Sequence, residues 1–265
     1  MNCTIFGATG FIGAKLAVYL RAEGHDVWTP KRGDKSIFTR SLGYVFYCVG
    51  LTADYRNKPF ETVRAHVGFL TDVLEFADFT SLIYLSSTRV YSRSQLAREE
   101  GLLRVNSTDP SDLYNLSKLT GESLCYCSKK SGVKVVRLSN VIGINEDSSN
   151  FIFELIREAR LGHILLKSAP TSCKDYIWVE DVVKLLTLIA LKGQYGLYNV
   201  ASGKNVTHQD IVSRLSSLTG CSVEVAIGAL PQVFPMISID RIFKEFNFYP
   251  KAILENLDEI LITDQ

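Results

Sequence analysis

The sequence predicts an α/β protein: a doubly wound parallel sheet with a small C-terminal lobe set against it. Three observations carry this. A glycine-punctuated turn, Gly7-Ala-Thr-Gly-Phe-Ile-Gly13, lies between an apolar run and a stretch of helical period. Short apolar runs then alternate with helical stretches as far as Leu138, as parallel pairing through crossover helices requires. After Asn140 the alternation loosens, which marks the lobe.

In chain order, Asn2 to Phe6 reads as a buried strand. Phe11, Ile12, Leu16, Tyr19 and Leu20 recur at helical spacing, and Gly24 stops that helix. Asp26 to Thr29 is a second strand, ended by Pro30, and Val45 to Val49, Leu82 to Ser86 and Val133 to Leu138 are further strands. Phe60 to Phe76 and Pro110 to Lys130 are the helices between them. Beyond Asn140, Phe151 to Leu161, Val179 to Leu191, Gln209 to Leu218 and Ile239 to Phe246 read as helices, and Leu197 to Val200 as a late strand. The division is 1–143 for the sheet domain, with 176–200 returning to it, and 144–175 with 201–265 for the lobe. Gly33 to Gly43 is only eleven residues, short for a helix and a further strand, so an edge strand there is expected to be missing or vestigial.

The totals narrow the function. Lys plus Arg is 29 and Asp plus Glu is 28 in 265 residues, so charge makes no case for nucleic acid or an anionic membrane as partner. The longest late apolar run, Leu185 to Leu191, is far shorter than the ~20 residues a spanning helix needs. No secretory signal is read at the N-terminus. Six scattered cysteines form no CxxC, and four histidines do not complete a metal cluster. Reduced thiols, a cytoplasmic location and no metal are expected.

Between strand and helix, the glycine turn suits a dinucleotide pyrophosphate. Gly7, Gly10 and Gly13 allow a tight turn and close approach, and the backbone of Thr9, Phe11 and Ile12 opens a helix whose free N–H groups face phosphate. The second strand continues Trp28-Thr-Pro-Lys-Arg-Gly-Asp34, where a ribose-reading acid is expected and Lys31 and Arg32 stand instead. That favours the 2′-phosphate of NADP(H), with NAD(H) the alternative. Val49 and Gly50, closing the third strand, join the cofactor set.

Leu85-Ser-Ser-Thr-Arg-Val-Tyr91 puts hydroxyls at the C-terminal end of a strand, where open parallel sheets bind ligands. Tyr114 and Lys118 share a helix face at a spacing of four, with Asp109 as cap and Pro110 at the first position. A nearby ammonium is expected to lower the phenol below its usual ~10. The phenol could then exchange a proton with a substrate oxygen held by Ser87 while hydride moves to or from nicotinamide. Lys118 could also hold the nicotinamide ribose. The spacing alone is weak: Tyr126 and Lys130 repeat it, rotated away and near the helix end, and read as surface.

Together these features resemble the extended short-chain dehydrogenases/reductases, the NAD(P)-dependent epimerase/dehydratase family, whose fold is of Rossmann type. Arg137-Leu-Ser-Asn140-Val-Ile-Gly143 is similar to its RxxNxxG segment, Lys174-Asp-Tyr-Ile-Trp-Val-Glu-Asp181 to its RDYIHVxD segment, and Tyr198-Asn-Val-Ala-Ser-Gly203 to its YNxxxG strand. The resemblance implies Ser87, Tyr114 and Lys118 as the catalytic group, and Asn140 and Lys174 as contacts to a nucleotide-sugar diphosphate, with Ser87, Thr88 and Arg89 also lining the substrate. Thr88 and Arg89 stand where dehydratases of the family carry Asp-Glu, which argues against dehydration. The expected activity is NADPH-dependent reduction of a keto-sugar nucleotide. An NAD-dependent epimerase is the alternative, then a reductase of small lipophilic ketones, then a non-catalytic dinucleotide sensor. Apolar positions on more than one face of the Phe60 to Phe76 and Pro110 to Lys130 helices, and the family's habit, imply a homodimer.

Overall fold

The computed structural model describes residues 1–51, 54–144 and 150–262. β1 (Asn2–Phe6) runs into the glycine turn and α1 (Phe11–Ala22), then β2 (Asp26–Trp28) and β3 (Tyr44–Tyr47). α2 (Pro59–Val63) and α3 (Phe69–Phe76) lead to β4 (Ser81–Ser87), and α4 (Leu113–Cys127) leads to β5 (Val133–Leu138). β6 (Asn140–Ile142), α5 (Phe151–Arg160), β7 (His163–Leu166) and β8 (Cys173–Trp178) follow. α6 (Val179–Lys192), β9 (Leu197–Val200), β10 (Asn205–Thr207), α7 (His208–Thr219), β11 (Ser222–Val225), α8 (Asp240–Phe246) and α9 (Asp258–Ile262) complete the chain.

The main sheet has six strands in the order β2-β1-β3-β4-β5-β9, all parallel. The order reverses between β1 and β3, which makes that pair the switch point where such sheets bind ligands. Leu16, Leu20, Leu185, Leu186 and Ile189, all fully buried, join α1 and α6 to one face of the sheet. Leu70, Val73 and Cys125 carry α3 and α4 onto the other. Each buried Leu contributes roughly 1.5–3 kcal/mol.

Between residues 33 and 43 there is one short 3-10 turn, Lys35–Phe38, with Asp34 accepting from the Ser36 amide. The additional edge strand is absent, as the length of the segment implied, and β2 is the sheet's edge.

The lobe is more regular than the sequence suggested. β10, β8 and β6 form a three-stranded sheet, and β11 pairs with β7 in parallel. α5 and α7 pack on these strands around Ile152, Ile156, Ile164, Trp178, Ile211 and Leu215. Residues 176–178 therefore pair within the small sheet, while α6 and β9 belong to the main one. Thr207 and Asp210 form a reciprocal capping box that starts α7. The limits 144–175 and 201–265 run through 145–149 and 263–265, which lie outside the described residues.

The helix expected over Phe60 to Phe76 is interrupted by a π-helical turn, Arg64–Gly68. The cause lies in other strands. The Tyr47 hydroxyl donates to the Ala65 carbonyl at 2.7 Å and the Tyr84 hydroxyl to the His66 carbonyl at 3.2 Å. Buried hydroxyls thus hold two carbonyls of the turn, and the local register widens.

Candidate active site

The glycine turn closes on itself: the Gly10 amide donates to the Gly7 carbonyl at 3.0 Å. Gly7 has φ +81°, which favours glycine, and a Cβ there would lie 2.7 Å from the Cys48 carbonyl oxygen. A Cβ on Gly13 would meet the Gly7 carbonyl oxygen at 2.3 Å, so the helix packs directly on the turn. Gly10 meets nothing closer than 3.4 Å and is exposed. α1 begins at Gly10 without a side-chain cap and without an acid in its first turn. The free amides at Phe11 and Ile12 therefore have room for phosphate and no competing carboxylate. Thr9 is exposed beside them. A dinucleotide pyrophosphate fits this cradle.

Val49 and Gly50 follow β3 at the switch point. A Cβ on Gly50 would lie 3.2 Å from His66 Nε2 and 3.5 Å from Lys118 Nζ. Lys31 and Arg32 are exposed in the turn after β2. Arg40, from the shortened segment, lies over the Trp28 ring at 4.2 Å, a cation that sequence reasoning did not single out.

The strand alternation separates Ser86 from Ser87. Ser86 turns inward and donates to Glu122 at 2.5 Å. Ser87 accepts from the Arg89 amide at 3.2 Å and lies beside the Tyr114 phenol, where its hydroxyl favours the phenolate. Asp109 caps the 3-10 turn Pro110–Asp112, and the α-helix proper begins at Leu113. Tyr114 and Lys118 are both buried on its inner face. Lys118 Nζ donates to the Leu85 carbonyl at 2.8 Å and stands 6.0 Å from the Tyr114 ring centroid. Tyr126, by contrast, is exposed, and Lys130 donates to the Ala77 carbonyl at 3.2 Å.

The ionisation differs from expectation. Burial pushes the Tyr114 phenol above its ordinary value, and Ser87 and the Arg89 guanidinium only oppose that rise. Lys118 does not bring it down, because its own ammonium is depressed to about 7, burial being the chief cause, with Glu122 working against it. In the free protein Tyr114 is therefore an acid at neutral pH, and Lys118 is half protonated near pH 7.

Two groups supporting the site were not found from sequence. His66 is fully buried in the π turn, its Nε2 accepting from the Leu51 amide at 3.3 Å. Nδ1 is then the donor to Ser117 Oγ at 2.8 Å, and Ser117 in turn donates to the Tyr114 carbonyl at 2.9 Å. Glu122 is the other. It accepts from Arg137 Nε at 3.0 Å and Nη2 at 2.6 Å, while Arg137 Nη1 donates to the Tyr91 hydroxyl at 2.7 Å. The helical spacing of Lys118 and Glu122 was a usable signal; His66 offered only a lone polar residue on an apolar face.

On the lobe side, Asn140 Nδ2 donates to the Asp175 carbonyl at 2.8 Å, and the residue is exposed. Lys174 is half-buried, 5.8 Å from the Phe151 ring centroid and 5.7 Å from that of Phe234. Asp175 holds the following loop, accepting from the Ser202 and Lys204 amides at 2.9 and 3.1 Å. Thr88 is buried. Arg89 Nη2 donates to the Tyr55 hydroxyl at 2.7 Å. The described residues contain no helix long and apolar enough to cross a membrane, and no cluster of three or more His, Cys, Asp or Glu that could hold a metal.

The model of the NAD-dependent epimerase/dehydratase family matches residues 3–201. The chain belongs to that family. No curated protein matches it. Solved structures match along nearly its whole length. MoeE5 in complex with UDP-glucuronic acid and NAD is 22% identical, with 97% of each chain covered and a TM-score of 0.82. UDP-glucuronic acid 4-epimerase from Bacillus cereus, with UDP-glucuronic acid and NAD, is 16% identical over 99% of each chain, TM-score 0.81. RMD from Pseudomonas aeruginosa complexed with NADPH is 22% identical over 97% of this chain and 98% of its own, TM-score 0.77. At these identities the likeness is one of fold. Within this epimerase/dehydratase frame, the glycine turn, Ser87, Tyr114, Lys118, Asn140 and Lys174 converge on the C-terminal edge of the sheet and the adjoining lobe.

Proposed function

We propose that the protein is an NAD(P)-dependent oxidoreductase of a nucleotide-activated sugar, reducing a keto-sugar with NADPH. The observation that carries this is the Ser87–Tyr114–Lys118 group, with Lys118 beside Gly50 just past the end of β3. When bound, the dinucleotide supplies the hydride. Gly7, Thr9, Gly10, Phe11, Ile12 and Gly13 hold its pyrophosphate, Val49, Gly50 and Lys118 its nicotinamide half, and Lys31 and Arg32 a 2′-phosphate. Ser87 orients the substrate carbonyl, and the Tyr114 hydroxyl gives it a proton. Ser87 and the Arg89 guanidinium favour the resulting phenolate, and Lys118 adds its charge in the fraction that is protonated. Asn140 and Lys174 face the diphosphate, Lys as a point charge without a bidentate grip. Thr88 lines the pocket, and neither Thr88 nor Arg89 can supply the acid that dehydration needs. The free thiols suit a cytoplasmic setting.

An NAD-dependent epimerase is the second reading, favoured by the epimerases among the matched folds. Such an enzyme would retain its cofactor. Denaturing the purified protein and weighing any released nucleotide separates the two. Stoichiometric NAD(H) establishes the epimerase; an empty protein that binds NADPH more tightly than NADH supports the reductase. Tyr114→Phe should lower turnover at least 100-fold with dinucleotide affinity kept, and unchanged turnover would refute the catalytic assignment. We also propose a homodimer through α2, α3 and α4, where Phe60 and Phe76 lie 73% and 61% exposed. A monomer mass at micromolar concentration would refute it.

A further inference from the structure

Arg137, which is buried, has Glu122, and Arg241, which is partly buried, has Glu100; the exposed Arg93 takes both Asp109 and Asp112. Arg89 differs. It is half-buried at the C-terminal end of β4, yet among the described residues no carboxylate pairs with it. The nearby acids Asp109 and Asp112 are taken by Arg93. Its hydrogen bonds are to neutral oxygens, the Tyr55 hydroxyl at 2.7 Å and, at 3.5 Å, the Ser111 carbonyl, both through Nη2. Nε and Nη1 have no acceptor among the described residues.

Its position is specific. The guanidinium carbon lies 4.9 Å from the Tyr55 ring centroid and 5.5 Å from that of Tyr114, so the group stands at the reacting end of the pocket. Arg56 also lies against Tyr55, at 4.8 Å. On the lobe side Lys174 is likewise half-buried and without a carboxylate among the described residues; burial chiefly disfavours its ammonium, and the charge of Arg89 adds to that. Two half-buried cations of like charge, neither with a carboxylate among the described residues, are costly in the free protein. A ligand with two separated anionic groups resolves both.

We infer that the substrate carries a carboxylate on its sugar, read by Arg89, in addition to the diphosphate read by Lys174 and Asn140: a nucleotide-linked hexuronate or its keto form. This rests on the nucleotide-sugar reading for the diphosphate and adds the acid group at the far end. The planar guanidinium is held by Tyr55, and its free N–H groups suit bidentate recognition of a carboxylate.

The test first titrates UDP, dTDP, GDP, CDP and ADP into the full chain by calorimetry to find the carrier. Matched hexose and hexuronate conjugates of that carrier follow. The hexuronate should bind at least tenfold more tightly than the neutral hexose. Arg89→Met should erase that preference while the affinity for the free nucleoside diphosphate stays within twofold, which also reports that the variant is folded. Lys174→Met should weaken diphosphate and both conjugates alike. Equal affinities for hexose and hexuronate, or an Arg89→Met loss shared by the free diphosphate, would overturn the carboxylate inference and leave the nucleotide-sugar reading standing. Binding of no nucleoside diphosphate would overturn both.

Discussion

Replacing Glu122 by Leu tests the interior on which the candidate site is built. The Glu122 carboxylate is 4% exposed and receives three hydrogen bonds, two from Arg137 and one from Ser86. Leu is apolar and of similar bulk, so packing is nearly kept while the counter-charge vanishes. Arg137 is then left with the Tyr91 hydroxyl and no anion in an interior where charge is poorly solvated. Breaking a buried pair from one side costs about 3–5 kcal/mol. Orphaning the Ser86 hydroxyl adds about 1 kcal/mol. We expect a loss of about 5 kcal/mol, which at a urea slope of about 3 kcal/mol/M moves the unfolding midpoint down by roughly 1.7 M. Urea titration followed by the fluorescence of Trp28 and Trp178 reads it. Glu122→Leu combined with Arg137→Met should recover most of the loss, because an apolar pair replaces an ion pair at little cost. A single-variant loss under about 1 kcal/mol, or a double variant equal to the sum of the singles, would refute the reasoning.

Two further predictions concern protons. Folding depresses Lys118 from 10.5 to about 7, so the unfolded chain binds the extra proton in that window. Stability of the free protein should therefore rise with pH from about 7 to 10.5 relative to Lys118→Met, by roughly 5 kcal/mol at most, and parallel profiles would sink the assignment. His66 is depressed by burial from 6.5 to about 3, with Lys118 contributing. Its cost should grow as pH falls from 6.5 towards 3, so His66→Gln should show a flatter acid limb in unfolding titrations. At neutral pH His66→Leu should cost about 1–3 kcal/mol and raise the dinucleotide KM more than it lowers kcat, because it leaves the Leu51 amide by the cofactor loop without its acceptor. Unchanged KM would refute that role.

Much of the sheet was legible because its signals are local. The run Asn2–Phe6, the glycines after it and the apolar spacing from Phe11 each declare an element within a few residues, and the missing edge strand follows from counting Gly33 to Gly43. The lobe strands were less legible. β10 has three residues, and β11, Ser-Val-Glu-Val, is exposed at every position, so no burial imposes an alternating pattern on it. The π turn could not be read because the hydroxyls that create it come from β3 and β4. Tyr114 and Lys118 were placed by spacing, but their ionisation was misjudged. Burial belongs to the folded surroundings, and it outweighs the charge–charge effect that spacing suggests.

The short β2 edge bears on how the molecule keeps itself from sticking to its copies. An unpaired outer strand is a template for edge-to-edge aggregation. Here it offers three residues, Asp26–Trp28. Pro30 follows with no N–H to give, and Lys31 and Arg32 add like charge beside it. An incoming strand would gain at most a couple of ladder hydrogen bonds against that repulsion. Loss of the usual outer strand thus leaves the sheet self-terminating, and growth into fibres is blocked on this side by shortness, proline and charge.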